Sequence, residues 1–251
     1  MADLQYIKTN SLRDKAGKNR DSAREKGIII LLVSLGFFVV IGGLGLLEIG
    51  IIGLVLAGMV GLCVMFGTGT DTIIAEAGAD GEEYALKTLS ELDDSYTIFN
   101  QVRIPCKESK TGYREADFVV CGPNGIFVVE VKNNKGIIVG TEADPKWEVR
   151  KVGGGGTPYS DHMRNPIRQV RSHIFPLKEY FVSKGINDVW INGAVLFTNP
   201  ESALKLHISG RVPVLRPTNI EDHITKHRQR CSFRHQHKVV SALTRLHVVE
   251  V

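Results

Sequence analysis

From Ile28 to Phe66 the chain is almost wholly apolar, interrupted only by Ser34, Glu48 and several glycines. About 20 residues span the hydrocarbon core of a bilayer, so one straight helix over this stretch would be roughly twice too long. The stretch reads instead as two transmembrane spans, near 28–46 and 50–66, joined by a tight turn around Leu47-Glu48. A hairpin of this kind puts Glu48 at the far membrane surface, where its charge stays hydrated. Gly42, Gly43, Gly45, Gly50 and Gly53 would let the two helices approach closely near the turn. Ahead of Ile28, Lys8, Arg13, Lys15, Lys18, Arg20, Arg24 and Lys26 outnumber Asp14, Asp21 and Glu25. A basic flank assigns its side to the cytoplasm. The expectation is a multi-pass anchor in the cell (inner) membrane, with the soluble remainder in the cytoplasm. A cleaved signal peptide has a shorter apolar core than this one. A single tilted span would place the C-terminal part outside, where unpaired thiols fit poorly.

The rest of the 251 residues is long enough for one sizeable domain. Three parts follow: a polar, basic segment over 1–27 with little structure beyond a surface helix, the hairpin over 28–66, and a soluble domain over 70–251. The formal net charge of +4 is compatible with an anionic partner without demanding one. Cys63, Cys106, Cys121 and Cys231 are too far apart for a disulfide framework, and Cys231, His235 and His237 lack the spacing of a zinc site.

Within the soluble part, Ile73 to Leu92 reads as a helix with Leu86 and Leu89 on one face, and Tyr96 to Ile104 as a strand closed by Pro105. Gly136–Val139 and Trp147–Val152 are short strands, and the run from Gly153 to Gly156 reads as a hinge or lid. Asn165-Pro166 opens a helix expected to kink or restart at Pro176. On that helix Arg164, Arg168, Arg171 and Lys178 would form one stripe, a candidate face for phosphates. Gln169 and His173, one turn apart, point another way. Val189–Phe197 is a buried strand, with shorter ones near Leu204–Ile208 and Val212–Leu215. Thr218-Asn219-Ile220-Glu221 reads as a capping box, and Gln236–Leu246 as a last amphipathic helix.

The chemistry concentrates between Glu115 and Lys132, where two β-branched runs flank Gly122-Pro123-Asn124-Gly125. Pro at the second turn position and Gly at the fourth make this a hairpin. If Gly122 faces Gly125, then Cys121 faces Ile126, Asp117 faces Glu130 and Glu115 faces Lys132. With a side-chain period of two, these four ionisable residues share a face, while Phe118, Val120, Phe127, Val129 and Val131 share the other. Two carboxylates facing each other can hold a hard divalent cation, with a lysine beside them to orient water or stabilise charge on a phosphate. A salt-bridged sheet end with Glu115 against Lys132 fits the same pattern, and spacing alone leaves both open.

The run from Gly78 to Trp147 resembles the NERD (nuclease-related) domain, a branch of the PD-(D/E)xK nuclease superfamily. The pieces that carry the resemblance are Gly78-Ala79-Asp80-Gly81-Glu82, the strand Ala116–Val120, the strand Gly125–Asn133 with Glu130-Val131-Lys132, then Gly136, Trp147 and Asn165-Pro166-x-x-Gln169. Ala116 stands where the superfamily pattern has Pro. The resemblance implies a restriction-endonuclease-like mixed β-sheet flanked by helices, an α/β fold here preceded by the transmembrane helical hairpin. It implies Asp117 and Glu130 as metal-binding carboxylates for Mg2+ (or Mn2+), Lys132 as catalytic lysine, Glu82 as accessory carboxylate with Glu83 its rival, and Gln169 reaching the site from its helix. The expected function is metal-dependent hydrolysis of phosphodiester bonds in DNA, with RNA second. The alternative is a membrane-tethered nucleic-acid-binding or protein-interaction module that keeps the fold without turnover.

Overall fold

The computed structural model describes residues 1–43, 47–67, 69–187, 189–228 and 233–248, of which 5–6, 41–43, 47–50, 233–234 and 247–248 are described by backbone alone. Two compact units emerge, one made of residues 10–79 and the other of 1–9 with 80–251.

The first unit is helical. Helix α1 (Ser11–Gly43) starts in the basic segment and continues unbroken through Gly27 into the apolar stretch, since one glycine costs a helix only about 1 kcal/mol. Of the segment over 1–27, for which little beyond a surface helix is expected, residues 11–27 are the polar part of a long helix and Asp3–Tyr6 form a strand. Helix α2 (Leu47–Phe66) runs back along it: a Cβ on Gly27 would meet Met65, and one on Gly61 would meet Leu31. These two glycines make the close approach, whereas Gly53 faces open space. Gly42, Gly43, Gly45 and Gly50 lie outside the residues whose surroundings are described, as does the side chain of Glu48. Leu47 and Glu48 belong to the second helix and are not its preceding turn. Among the described residues, one helical stretch, beginning at Ile51, is long and apolar enough to cross a membrane. Ile29, Leu32, Val33, Phe37, Ile52, Leu56 and Met59 are exposed along the hairpin. Helix α3 (Thr70–Leu89) follows, and the boundary between the units falls within it.

The second unit is a mixed α/β fold built on two sheets. The larger has the order β1 (Asp3–Tyr6), β2 (Thr97–Pro105), β3 (Tyr113–Gly122), β4 (Gly125–Lys132), β8 (Ile191–Phe197), β10 (Val214–Leu215). The smaller has the order β7 (Pro158–Arg164), β6 (Lys146–Val152), β5 (Gly136–Thr141), β9 (Ser202–His207). The hairpin β3–β4 closes on a two-residue loop in the expected register, with Cys121 opposite Ile126 and Gly122 opposite Gly125. Tyr96 donates its hydroxyl to Asn124 Oδ1 (2.5 Å), and Asn124 Nδ2 donates to the carbonyls of Thr225 and His227, so the turn is anchored from both sides.

Helices cover both faces of the larger sheet. Helices α4 (Pro166–Ser183) and α6 (Phe233–Val248) pack with Val119, Cys121, Ile126 and Val128. On the other face, α3 and α5 (Pro217–Thr225) pack with Phe118, Val120, Phe127 and Val129. Glycines decide how near two of these helices come. A Cβ on Gly193 of β8 would collide with Val170 Cγ1 of α4, and one on Gly81 of α3 would sit 2.7 Å from Asn133 Cβ, one residue beyond Lys132.

Several expectations are corrected. The run from Gly153 to Gly156 is the tip of the β6–β7 hairpin, closed by the Gly153 N–H on Thr157 O (2.9 Å), and is no hinge. Helix α4 continues through Pro176 to Ser183, because buried Leu177 and Phe181 keep its second half on the core. Helix α5 starts at Pro217 with Arg216 as a cap that makes no side-chain bond, so the capping box does not form. Strands β1 and β7 were missed: β1 is only four residues long, and the polar stretch of β7 does not alternate. Cys106 and Cys121 are buried and Cys63 is exposed, none of the three in a disulfide, and Cys231 lies outside the described residues.

Because Val170 is β-branched and cannot swing aside, Gly193→Ala should cost about 1–3 kcal/mol of stability. Val170→Ala in the same chain should recover part of it. Chemical denaturation followed by the fluorescence of buried Trp147 checks this, and an unperturbed midpoint in Gly193→Ala would contradict the packing.

Candidate active site

The β3–β4 ladder stops at Phe118 and Val129. One residue further, the Asp117 carboxylate takes the place of a backbone partner, accepting the Val131 N–H on Oδ2 at 2.7 Å. Asp117 and Glu130 are therefore brought together where the strands part, and the side chain fills the gap in the ladder. A matching break lies on the other side, where β2 pairs with β3 through Asn100–Phe118 and Val102–Ala116 but not through Gln101 and Asp117. Gln101 has φ +48°, the left-handed region that a non-glycine residue occupies only at a cost. The alternation of faces breaks there: Phe99 and Val102 lie in the same core cluster, as do Ala116 and Val119.

Glu130 is buried, with its side chain only 4% exposed. Lys132 Nζ donates to its Oε1 at 2.7 Å. Its Oε2 has no hydrogen-bond partner and lies 3.6 Å from His173 Nδ1 of α4. Gln169 Oε1, one turn earlier on α4, and His173 Nδ1 are likewise buried without partners. The N-cap explains their aim: Asn165 Oδ1 accepts from the N–H groups of Ile167 and Arg168, and its Nδ2 donates to the carbonyls of Thr141, Glu142 and Asp144. That cap fixes where the helix begins and hence which positions look at Glu130.

Glu82 enters from α3, where its Oε2 accepts from Gln101 Nε2 at 3.0 Å. Glu82 is half-buried, whereas Glu83 is exposed. The charges respond to this crowding. Burial, then repulsion by Glu130, pushes the Asp117 carboxyl well above its usual range, against the pull of Lys132. Glu82 is also raised, first by burial, with Gln101 pulling the other way and Glu115 and Glu130 adding repulsion. Burial works against the Lys132 ammonium, but Glu130, Asp117 and Glu82 outweigh it and raise its pKa. His173 is lowered, chiefly by burial, so the imidazole facing Glu130 is neutral at pH 7 and the contact is not an ion pair.

The site thus collects Asp117, Glu130, Lys132 and Glu82, with His173 of α4 against Glu130 and Gln169 one turn before it on the same helix. Two participants were missed: Gln101, whose backbone no local pattern announces, and His173, whose place one turn after Gln169 was visible but given no role. Glu115 does not meet Lys132; it is bonded to Arg103 Nε at 2.9 Å across β2–β3. The basic stripe forms without its first member: Arg168, Arg171 and Lys178 are exposed on one side of α4. Arg164 is the last residue of β7, ahead of the helix cap. Arg171 is paired with Glu142, which is held down at about 2 by Ser209 and that guanidinium. Arg168 is exposed on α4.

Among the described residues, no three His, Cys, Asp or Glu side chains stand close enough to enclose a metal ion by themselves. The donor set fits a different mode of binding. Magnesium is commonly held by one or two carboxylates with water and phosphate completing its shell. Asp117 and the unpartnered oxygen of Glu130 supply two hard ligands of that type.

Residues 77–198 match the family model described as the nuclease-related domain, NERD. An uncharacterized protein of Bacillus anthracis is 32% identical over 98 residues, a match covering 39% of this chain and 43% of that protein. The chain thus spans less than half the length of that relative. No solved structure matches it.

A carboxyl with a raised native pKa stabilises the fold most below its unfolded value near 3.8 and loses that contribution as pH rises through the folded value. Asp117→Asn keeps the acceptor for Val131 and removes the charge. It should raise the melting temperature at pH 7–8, with the gain gone by about pH 4. Equal effects at both pH values would contradict the crowded-carboxylate geometry.

Proposed function

The chain carries a nuclease-related domain over residues 77–198, and on that premise we propose that it is a membrane-anchored, cytoplasm-facing nuclease of the PD-(D/E)xK type. It would hydrolyse phosphodiester bonds in DNA, with RNA as second substrate, in the presence of Mg2+ or Mn2+. The observation that carries this reading is the buried Glu130–Lys132 pair beside Asp117 at the parting of two strands, with one Glu130 oxygen unpartnered. A structural ion pair has no use for that spare oxygen.

Asp117 and Glu130 would hold the ion, which when bound polarises the phosphate and makes a water nucleophilic at neutral pH. Lys132, kept protonated by its carboxylate neighbours, serves as a charge: it orients the attacking water and stabilises negative charge on the phosphate oxygens. It is no general base in that state. Gln101 holds Glu82 as the accessory carboxylate, His173 stands against Glu130, and Gln169 would reach the site from one turn earlier on α4. Arg168 is kept as a backbone-phosphate contact. Arg171 shares the exposed side of α4 with Arg168 and would contribute only by leaving Glu142, while Arg164 would contribute from β7. The α1–α2 hairpin is the anchor, a reading supported by its outward apolar side chains.

The test uses the full chain in neutral detergent micelles with linear, nicked and single-stranded DNA, and with RNA. Cleavage should need magnesium or manganese and stop with chelator. Asp117→Asn, Glu130→Gln and Lys132→Ala should each reduce the rate by about 100-fold or more. Cleavage that survives Asp117→Asn and Lys132→Ala would sink the site. DNA binding without cleavage by the unaltered chain would favour the non-catalytic module.

The anchor makes a separate prediction. The protein should stay with membranes through alkaline carbonate washing, and a reporter fused at its C-terminus should report the cytoplasm. An external reporter signal would overturn the hairpin topology.

A further inference from the structure

Helix α6 contains no Asp or Glu, while Arg234, Lys238 and Arg245 give it three positive charges in a chain whose formal net charge is only +4. Its inner face is core, with Val239, Ala242 and Leu243 buried. Its outer face borders two cavities. One, of about 250 Å³, is lined by Lys184, His237, Lys238, Ser241 and Arg245 over a floor of Ile186 and Ala242. The other, of about 360 Å³, shares His237, Ser241 and Arg245 and adds Thr244. Together they form a groove along the helix whose lining holds cations and hydroxyl donors and no carboxylate. Lys184 is steadied at its mouth by the Tyr180 ring, 5.4 Å from the ammonium, and Tyr180 donates its hydroxyl to Ala242 O (3.0 Å), tying α4 to α6.

We propose that this groove is a second nucleic-acid site, holding the phosphodiester backbone away from the catalytic centre; this rests on the nuclease reading above. Cationic side chains with hydroxyl donors in a concave surface are the chemistry of phosphate contacts. Lys238 and Arg245 are separated by roughly 10 Å along the helix axis, room for more than one phosphate. A lipid surface is the poorer fit, because a membrane-binding helix needs exposed apolar anchors among its charges. Among the described residues of α6, every large apolar side chain is buried or half-buried. The groove also has a fixed relation to the active site. Lys184 caps the C-terminus of α4, whose first turns carry Gln169 and His173. The distance along α4 from Gln169 to Lys184 is roughly 22 Å, about two thirds of a turn of B-form duplex. One bound duplex can therefore reach both.

The experiment measures fluorescence anisotropy of a labelled duplex of about two helical turns, with the full chain in neutral detergent micelles, without divalent metal, across a salt series. Lys238→Glu with Arg245→Glu should weaken binding by about tenfold or more, and should lower the slope of log affinity against log salt by about two. A control reversal on the opposite helical layer, Lys87→Glu with Lys226→Glu, should leave the slope within about one of the unaltered chain. Circular dichroism of both variants establishes that they fold. Unchanged affinity and slope in the α6 variant would overturn the groove while leaving the catalytic reading intact. Absence of DNA binding by the unaltered chain would overturn both. If the α6 variant instead loses binding to phosphatidylglycerol vesicles and keeps DNA, the groove belongs to a membrane surface and the proposal fails.

Discussion

A carboxylate inside a sheet is expensive unless something compensates its charge, and Glu130 sits between two parallel-paired neighbours with almost no solvent. Lys132 supplies the compensation from two residues along the same strand and the same face. The pair satisfies one oxygen and leaves the other. Everything around the site accommodates this. The ladder ends where regular pairing would have set Asp117 squarely against Glu130, and Asp117 turns one oxygen to the Val131 N–H, so that a carboxylate in the gap is at least hydrogen-bonded. Gln101 leaves the extended region on the far strand and gives Glu82 a donor. Local regularity is given up at three adjacent positions to keep carboxylates in one place.

Distance control comes from residues with no side chain. Gly81 lets α3 lie against Asn133, which follows the last residue of β4, and so delivers Glu82 to the strand end. Gly193 lets α4 settle onto β8 over Val170, and this brings Gln169 and His173 down toward Glu130. Neither glycine has an unusual backbone angle. Both are there for close approach, so a bulkier residue would lift a helix and widen the site instead of straining a turn. The Gly78 to Glu82 stretch owes its meaning in this chain to that contact.

The hairpin register was legible in the sequence because four turn residues fix it and the period of two carries it to Asp117 and Glu130. Helix α4 was legible at its start for the same kind of reason, a cap whose side chain has one task. What the sequence hid was decided at longer range. Pro176 fails to break α4 because Leu177 and Phe181 are fixed in the core, a tertiary term larger than the local loss. Arg164 looked like a partner of Arg168 by spacing, but the cap at Asn165 ends one element and begins another between them. Strand β1 pairs with β2, distant in sequence, and four polar-flanked residues carry no sign of it. Glu115 was placed by register alone and went to Arg103, since the strands diverge before reaching it.

The charge balance ties the fold to its chemistry. Ionised, Glu82, Asp117 and Glu130 bring three negative charges against one on Lys132, and the neutral His173 adds none. Burial first, and then that crowding of carboxylates, raises the Asp117 and Glu82 carboxyls. On the proposed reading, a divalent ion would correct the deficit in one step, and a phosphate brought with it would restore a negative charge within reach of the Lys132 ammonium. A salt-bridged sheet end would have matched its charges within the chain, as Arg103 and Glu115 do a few residues away on the same pair of strands. The contrast between those two neighbouring clusters, one balanced and half-exposed, one unbalanced and buried, is what the proposed ligand-binding reading rests on.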